Sequence, residues 1–275
     1  MKLIFKKYKK RNKGYNLYLK AQKNILGGTM MLSKKPELWL PKFWPTYFKK
    51  ANKISVWDLN NKKYIDMICA VGQSTLGYGY KRIDDIVINS IKNNNMTTLN
   101  CPEEVELSSI LLKMNPWADK IKFARTGGEA NSIAIRIARA ATRKDNIAIC
   151  GYHGWHDWYL AVNLSTKDGL KEHLLSGLKT TGVPKFLKNT VHAFEYGRID
   201  QLKKIIKKHN IGIIKLEVAR SSLPNKIFIK KVSELAKKNK IILIFDECTS
   251  GFRRNFGGLH LDLGIKPDIA IYGKA

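Results

Sequence analysis

The sequence has few cysteines and no long apolar run, and each absence excludes a class of protein. Its four cysteines are scattered through 275 residues without a CxxC pair, at Cys69, Cys101, Cys150 and Cys248. This spacing excludes a dense disulfide framework and favours reduced thiols. No apolar stretch is long enough to cross a bilayer, and the first residues lack the apolar core of a secretory signal. We therefore expect a cytoplasmic protein that is not embedded in a membrane.

Acidic residues are also scarce, with 22 Asp and Glu against 50 Lys and Arg, which gives a formal net charge of +28. One interpretation is an electrostatic surface for nucleic acid, which predicts an affinity that falls steeply with salt. The other is a general use of lysine on solvated faces. The lysine runs at 6–13, 207–210 and 237–240 are short and separate. We therefore favour the solvated surface and expect no nucleic-acid partner.

The apolar residues that are present, 44% of the chain, alternate between strand-like and helix-like segments from about residue 105. Helical spacing begins at Ala130 and again at 227–240. Near-continuous β-branched runs separated by amphipathic helices indicate an α/β fold, with a mostly parallel sheet covered on both faces. Ligands of such sheets bind at the carboxyl ends of the strands. The predicted strands are 120–124, 147–150, 211–217, 241–246 and 268–272.

Residues 1–65 have a different pattern and are predicted to form an N-terminal lobe. They contain the helix-like NLYLKAQKNI, a GGT turn, and a hairpin in which DLNNKKY separates SVW from YIDM. Residues 66–275 are predicted to form the large α/β domain.

The first candidate site is the turn in FARTGGEAN, where a predicted strand ends and a helix begins. Gly127 and Gly128 allow a ligand to approach the backbone, and the first N–H groups of a helix have no partner within it. Thr126, Gly127 and Gly128 are therefore candidates to bind a phosphate. The alternative is a tight turn in which Thr126 caps the helix.

The second candidate follows the apolar run IILIF, where Asp246 and Glu247 lie at the end of a predicted buried strand. Adjacent strand residues face opposite sides of a sheet, so the two carboxylates are not expected to act together. A buried carboxylate needs a cation or several donors. For Asp246 the partner is either a protonated ligand nitrogen or a nearby arginine, Arg253 or Arg254.

The third candidate is CGYHGWHDW, which crowds aromatic and imidazole rings into one turn. Cys150, His153 and His156 lack a fourth ligand at any spacing typical of zinc, so no metal site is expected. Tyr152 or His153 stacking on a flat cofactor fits better, and packing in the core is the alternative.

The fourth candidate is Lys274, two residues after the predicted strand DIAIY. A lysine amine at a strand end can form a Schiff base with a carbonyl group, and the alternative is an ordinary exposed lysine. Together the four candidates supply a phosphate site, a carboxylate for a ring nitrogen, a stacking ring and an amine. Pyridoxal 5′-phosphate (PLP) needs all four of these groups.

In TGGEAN, GYHGWHDW, FDECTSGFR and PDIAIYGKA the sequence resembles the class III PLP-dependent aminotransferases, most closely the glutamate-1-semialdehyde aminomutase-like branch. The resemblance implies a fold-type I transferase that works as a homodimer on small-molecule amino donors and acceptors. It implies that Lys274 is the catalytic Schiff-base lysine and that Asp246 pairs with the pyridine nitrogen. It also implies that Tyr152 and His153 cover the ring, while Thr126, Gly127 and Gly128 hold the phosphate.

Two positions depart from the family pattern. Gly128 lacks a hydroxyl that the phosphate loop of the family often supplies, and Val218 stands where family members often have proline. In the family the chain continues well beyond the lysine. We therefore expect a truncated chain with an incomplete large domain and no small C-terminal domain. The alternative function is an inactive fragment, or half of a split enzyme that needs a second, C-terminal chain.

Overall fold

The computed structural model describes residues 12–40, 44–93, 96–165, 179–219 and 222–274. Most of the lysine run 6–13 lies outside the described residues. The chain divides into two compact units, Met1–Thr98 and Leu99–Ala275. The domain boundary predicted between residues 65 and 66 lies within the first unit, where Lys53 and Tyr78 form an isolated antiparallel bridge. The boundary at residue 65 stays a prediction.

The first unit is a helix and a three-stranded antiparallel sheet. Helix α1 (Lys13–Asn24) begins at the cap Asn12, whose Oδ1 accepts the N–H of Tyr15 at 2.9 Å. The predicted hairpin is confirmed, since strand β2 pairs with β3 across a turn in which Asp58 Oδ1 accepts two backbone N–H groups. The elements are 3₁₀ turns at Leu32–Lys34 and Pro36–Leu38, then β1 (Phe48–Asn52), β2 (Ser55–Asp58), β3 (Lys63–Ile65), α2 (Cys69–Gly72) and α3 (Lys81–Lys92).

The second unit alternates helices and strands, as the apolar pattern predicts. Its elements are α4 (Pro102–Met114), α5 (Gly127–Thr142), β4 (Asn146–Cys150), α6 (Asp157–Leu160), α7 (Val162–Ser165), a 3₁₀ turn at Lys185–Leu187, β5 (Val191–Ala193), α8 (Ile199–Lys208), β6 (Ile211–Glu217), α9 (Lys226–Lys238), β7 (Ile242–Glu247), α10 (Leu259–Leu263) and β8 (Ile269–Tyr272).

The five strands of the second unit form one parallel sheet in the order β5-β4-β6-β7-β8. Alternate residues of β6 face opposite sides. Ile213 packs with residues of α5 on one face, and Ile214 packs with residues of α8 and α9 on the other. Because both faces are covered, every residue of β6 is buried. The predicted parallel sheet with helices on both faces is confirmed.

The prediction of a strand at residues 120–124 is wrong. This segment is irregular in the structure, and Phe123 is 41% exposed. A strand needs a neighbour that supplies the hydrogen-bonding ladder, and within the described residues the sheet ends at β8 without pairing to this segment. Its alternating apolar residues therefore do not lie in a sheet.

Within the described residues, no helix is both long enough and apolar enough to cross a membrane. All four cysteines are free thiols.

Candidate active site

The four sequence candidates meet at the carboxyl edge of the sheet, around the thiol of Cys248. A Cβ atom on Gly127 would lie 3.5 Å from Sγ of Cys248, and one on Gly273 would lie 3.1 Å from it. The turn after β4 also reaches this point, because a Cβ atom on Gly154 would lie 3.2 Å from Cα of Gly128. The start of α5, the ends of β7 and β8 and the turn after β4 therefore surround one place.

The N-terminus of α5 is capped from within the chain. Thr126 Oγ1 accepts the N–H of Glu129 at 3.1 Å, and Glu129 Oε2 accepts the N–H of Arg125 at 2.8 Å. This reciprocal arrangement resembles a capping box, and it confirms that Thr126 caps the helix. The N–H groups of Gly127 and Gly128 lie in the first turn, at the positive end of the helix dipole. An anion at this end would be stabilised by them.

A second layer of side chains packs behind Gly128. His156 Nδ1 lies 2.6 Å from Oγ of Ser132, which also accepts the indole N–H of Trp158 at 3.0 Å. A Cβ atom on Gly128 would lie 3.0 Å from Nε2 of His156. The imidazole therefore occupies the space that a larger residue at position 128 would need.

Asp246 is a buried carboxylate with three donors or cations around it. Its Oδ2 lies 2.9 Å from Nδ1 of His153 and 3.4 Å from Nζ of Lys215, and its Oδ1 accepts the N–H of Cys248 at 3.1 Å. A carboxylate only accepts hydrogen bonds, so Nδ1 of His153 carries a proton. Burial opposes ionisation, but the Lys215 ammonium and His153 hold the pKa of Asp246 well below its usual range.

The cation beside Asp246 is thus Lys215 rather than a nearby arginine. Lys215 is fully buried on β6, two residues before the end of that strand. Arg253 Nε donates to the carbonyl oxygen of Thr249 at 3.2 Å, and Arg254 Nε lies 3.9 Å from Asp262 Oδ2. Sequence analysis missed Lys215, although one signal was available: it is the single charge in the apolar run IGIIKL.

The turn after β4 is fixed to the end of β6. Glu217 Oε2 accepts the N–H of Tyr152 at 2.9 Å, and Tyr159 Oη donates to the carbonyl oxygen of Gly151 at 2.9 Å. The rings of Tyr152 and Tyr159 meet edge to face, with centroids 6.0 Å apart. These contacts hold the backbone that carries Tyr152 and His153 next to Asp246.

We predict that Gly151→Ala lowers the free energy of unfolding by about 2–3 kcal/mol, because the site has a positive φ and no room. Gly151 has φ +107°, and a Cβ atom there would lie 2.7 Å from Oε2 of Glu217. Gly197→Ala is the matched control, since Gly197 has φ +88° and open space around it. Urea unfolding of both variants separates the steric cost from the backbone cost. Equal losses in the two variants would contradict the prediction.

Glu247 faces the opposite side of the sheet from Asp246, as strand alternation predicts, and anchors helix α10. Its Oε2 accepts the hydroxyl of Ser250 at 2.8 Å and the N–H of Leu259 at 2.7 Å. Its Oε1 accepts the N–H of His260 at 3.0 Å and lies 2.7 Å from that residue's Nδ1. Trp117 Nε1 donates to Nε2 of His260 at 3.1 Å, which leaves the proton on Nδ1.

We predict that Glu247→Gln lowers the free energy of unfolding at pH 7 by about 2–3 kcal/mol, because an amide cannot accept all four bonds and leaves buried donors unpaired. Burial raises the pKa of Glu247, but the hydrogen bonds from these donors lower it by a larger amount. The net shift of the pKa is therefore downward. Its stabilisation is therefore present above the ordinary glutamate pKa of about 4.3 and is lost as pH falls through the folded value.

The pH dependence gives the decisive comparison for this residue. Urea unfolding from pH 7 down to pH 3 should show a smaller acid-induced loss of stability in Glu247→Gln than in the wild type. Asp262→Asn, an exposed change on the same helix, should follow the wild-type curve. An unchanged pH dependence in Glu247→Gln would contradict the assigned contacts.

Lys274 lies at the exposed rim of the site, two residues beyond β8. Its Nζ donates to Oγ1 of Thr249 at 2.9 Å, and its φ of +61° is in the left-handed region that non-glycine residues rarely adopt. Thr249 follows directly after Cys248, so this hydrogen bond brings the amine to the residues that follow Asp246.

The structure thus brings all the residues selected in the four candidate segments to one edge of the sheet. They are Thr126, Gly127, Gly128, Tyr152, His153, Asp246 and Lys274. The structure adds residues that sequence analysis did not select: Lys215, Cys248, Thr249, His156, Ser132 and Glu217. Burial raises the pKa of the Cys248 thiol to about 12, so this thiol is a neutral packing group at the centre of the site.

Comparison with known proteins places the chain in a protein family. The family model for Aminotransferase class-III matches residues 41–275. A 3-aminobutyryl-CoA aminotransferase from Cloacimonas acidaminovorans is 33% identical over 94% of this chain and 61% of its own length. A glutamate-1-semialdehyde 2,1-aminomutase from Nitrosopumilus maritimus is 34% identical over 84% of this chain and 55% of its own length.

A solved structure shares the fold. The FumI protein from Sphingopyxis sp. MTA144, in a PLP form, superposes with a TM-score of 0.82 over 95% of this chain and 61% of its own, at 24% identity. The chain thus spans about three fifths of the length of the proteins it matches. The family match extends through the sheet and every site candidate, and the chain belongs to the class III aminotransferase family.

Proposed function

We propose that the protein binds PLP and moves an amino group between small molecules or within one. The observation that carries the proposal is the convergence at one sheet edge of a buried carboxylate, a helix N-terminus and an amine. They belong to Asp246, α5 and Lys274. These groups match the ring nitrogen, the phosphate and the aldehyde of PLP.

The residues present fit PLP at each of its polar groups. The first-turn N–H groups at Gly127 and Gly128 suit a phosphate, and the glycines leave no side chain between backbone and ligand. Asp246 is ionised and held in place, as needed to pair with a protonated ring nitrogen. Tyr152 and His153 lie on the turn beside Asp246 and supply rings that can cover a flat ligand. When bound, PLP acts as an electron sink for the carbon next to the substrate nitrogen.

Lys274 is proposed to bind the aldehyde carbon of the cofactor and then to move a proton at the substrate carbon. Its Nζ donates to Thr249 Oγ1 at the exposed rim of the site, where the amine is accessible to a ligand. At the substrate carbon its amine would serve as the general base and then as the general acid. Asp246 would meanwhile keep its charge, because its pKa is lowered.

The two relatives support amino-group movement and differ in its form. One is an aminotransferase and the other an aminomutase, so the proteins similar to this chain include both kinds of enzyme. We therefore propose small amino compounds and carbonyl compounds as substrates. We also propose a cytoplasmic location, since all four cysteines are free thiols.

A second polypeptide, either another copy of this chain or a separate C-terminal chain, is the proposed partner. Helices α3 and α4 have no buried residue, and each exposes apolar side chains, such as Ile86 at 65% and Val105 at 68%. Surfaces of this kind are usually covered. If the partner is a second copy, light scattering of the purified chain should give a mass of at least two chains, and a monodisperse monomer would contradict self-association.

The experiment that tests the proposed function is spectroscopic. PLP added to the purified protein should produce a visible absorbance band that saturates at one cofactor per chain. A panel of amino donors should then convert bound PLP to pyridoxamine phosphate, and a carbonyl acceptor should reverse that change. A saturating band without any response to amines would refute amino transfer by this chain, and no band would refute the cofactor site.

A further inference from the structure

Lys215 is a lysine inside an apolar sheet. It is fully buried on β6, and in the sheet it is the register partner of Ile149 on β4 and Ile244 on β7. It lies on the face of the sheet that packs against α5, where Ile213 and Ile244 belong to the core. Burying an ammonium in such surroundings costs several kcal/mol unless a negative group meets it. An ammonium buried in a core strand at this cost in free energy indicates a specific negatively charged partner.

That partner is Asp246, the carboxylate proposed to face the ring nitrogen of PLP. Nζ of Lys215 lies 3.4 Å from Oδ2 of Asp246, and both side chains are almost fully buried, at 0% and 3% exposed. Burial lowers the pKa of the Lys215 ammonium, and the charge of Asp246 opposes part of that shift. His153 Nδ1 lies 2.9 Å from the same Oδ2. One carboxylate oxygen is therefore already shared by two protein groups.

We propose that Lys215 is a positioning residue that fixes Asp246 as a carboxylate and lowers the proton affinity of the ring nitrogen bound beside it. The inference rests on the proposed function. An ammonium close to the same carboxylate competes with a ring N–H⁺ for that negative charge and repels the positive charge on the ring. Lys215 would thus weaken the electron sink and restrict which substrate carbons can be deprotonated.

An electrostatic role of Lys215 and a purely structural ion pair have different consequences for the ligand. A structural pair would change the stability of the fold and the folded pKa of Asp246, and nothing at the ligand. An electrostatic role changes both of these and also makes the pKa of the ring nitrogen in the loaded protein depend on Lys215. Both pKa values can be measured without any activity assay.

The first measurement uses the cofactor-free protein and the change Lys215→Met, which keeps an unbranched side chain and removes the charge. A carboxylate with a lowered folded pKa stabilises the fold above its ordinary pKa of about 3.9, and that stability is lost as pH falls through the folded value. Removing the ammonium raises the folded pKa of Asp246. Acid-induced unfolding should therefore begin at a pH higher by about one unit or more.

The control is Lys144→Met, the same chemical change at the opposite end of the sheet. Lys144 Nζ lies 3.4 Å from the carbonyl oxygen of Ile211, the first residue of β6, where no carboxylate pairs with it in the described structure. This variant should unfold at the wild-type pH. Equal acid unfolding of Lys215→Met and the wild type would overturn the claim that Lys215 fixes the charge of Asp246.

The second measurement uses PLP labelled with ¹⁵N at the ring nitrogen, bound to each protein and followed by NMR across pH. The ring nitrogen of the wild type should lose its proton at a pH lower by about one unit or more than that of Lys215→Met. If the methionine variant does not fold, Lys215→Gln replaces it and keeps a neutral donor. Matching titrations in wild type and variant would overturn the inference.

The possible outcomes separate this inference from the function on which it rests. If PLP binds and the pKa of its ring nitrogen is the same in Lys215→Met as in the wild type, the role of Lys215 is refuted and the cofactor site remains supported. Failure of every protein, including Lys144→Met, to bind PLP refutes the proposed function and the ring-nitrogen claim together. A shift in both the acid unfolding and the ¹⁵N titration supports the inference.

Discussion

Replacing Lys274 with alanine will slow the conversion of bound PLP to pyridoxamine phosphate by about 10²–10⁴-fold, the usual contribution of a positioned general acid–base group. PLP should still bind, because the N-terminus of α5 and Asp246 remain. The measurement is a single-turnover reaction with a saturating amino donor, followed by absorbance. Added methylamine should restore part of the lost rate, since a free amine can take over the proton transfer.

Lys266→Ala is the matched control for that change. Lys266 is another exposed lysine near the end of the chain, before β8 rather than after it. Its replacement should leave the rate at the wild-type value. A Lys274→Ala protein that reacts as fast as Lys266→Ala would remove Lys274 from the catalytic role.

Replacing Asp246 with asparagine will lower the free energy of unfolding at pH 7 by about 3–5 kcal/mol, because Lys215 is left buried without a counter-charge. The loss should be largest above the ordinary aspartate pKa of about 3.9, where the wild-type carboxylate contributes fully, and should shrink as pH falls. Affinity for PLP should fall as well, since the variant offers no negative charge to a protonated ring nitrogen.

Asp85→Asn provides the comparison for an exposed ion pair. Asp85 lies 2.6 Å from Lys81, with side chains 57% and 85% exposed, and such pairs contribute about 0–1 kcal/mol. Urea unfolding at several pH values measures both variants. Similar small losses for Asp85→Asn and Asp246→Asn would show that Asp246 and Lys215 are not a coupled buried pair.

Much of the fold could be predicted from periodicity, because a strand that is buried on both faces has a near-continuous apolar sequence. The run IGIIKLE corresponds to β6 over Ile211–Glu217, and IILIFD corresponds to β7 within one residue at each end. The stripe from Ala130 identified α5, although the helix begins three residues earlier at Gly127. The pattern did not predict a helix start at the two glycines, since glycine is a weak helix former.

Contacts between distant segments could not be predicted from local pattern. Residues 120–124 have the alternation of a strand, but a strand also requires a neighbour, which the local sequence does not encode. Lys215 was not selected from the sequence because its partner is distant along the chain. That partner, Asp246, lies 31 positions further along the chain. The register of β6 with β7 places Lys215 opposite Ile244, two residues before Asp246 on the same face of the sheet.

The measurement that tests the account most directly is a peptide map of the protein after incubation with PLP and reduction with borohydride, which fixes the cofactor on the amine that holds it. We expect one pyridoxyl group per chain, on the peptide that contains Lys274. A label spread over many of the lysines of this basic chain would mean adventitious reaction with surface amines. That result, or a label confined to another lysine, would contradict the assignment of Lys274 and with it the proposed site.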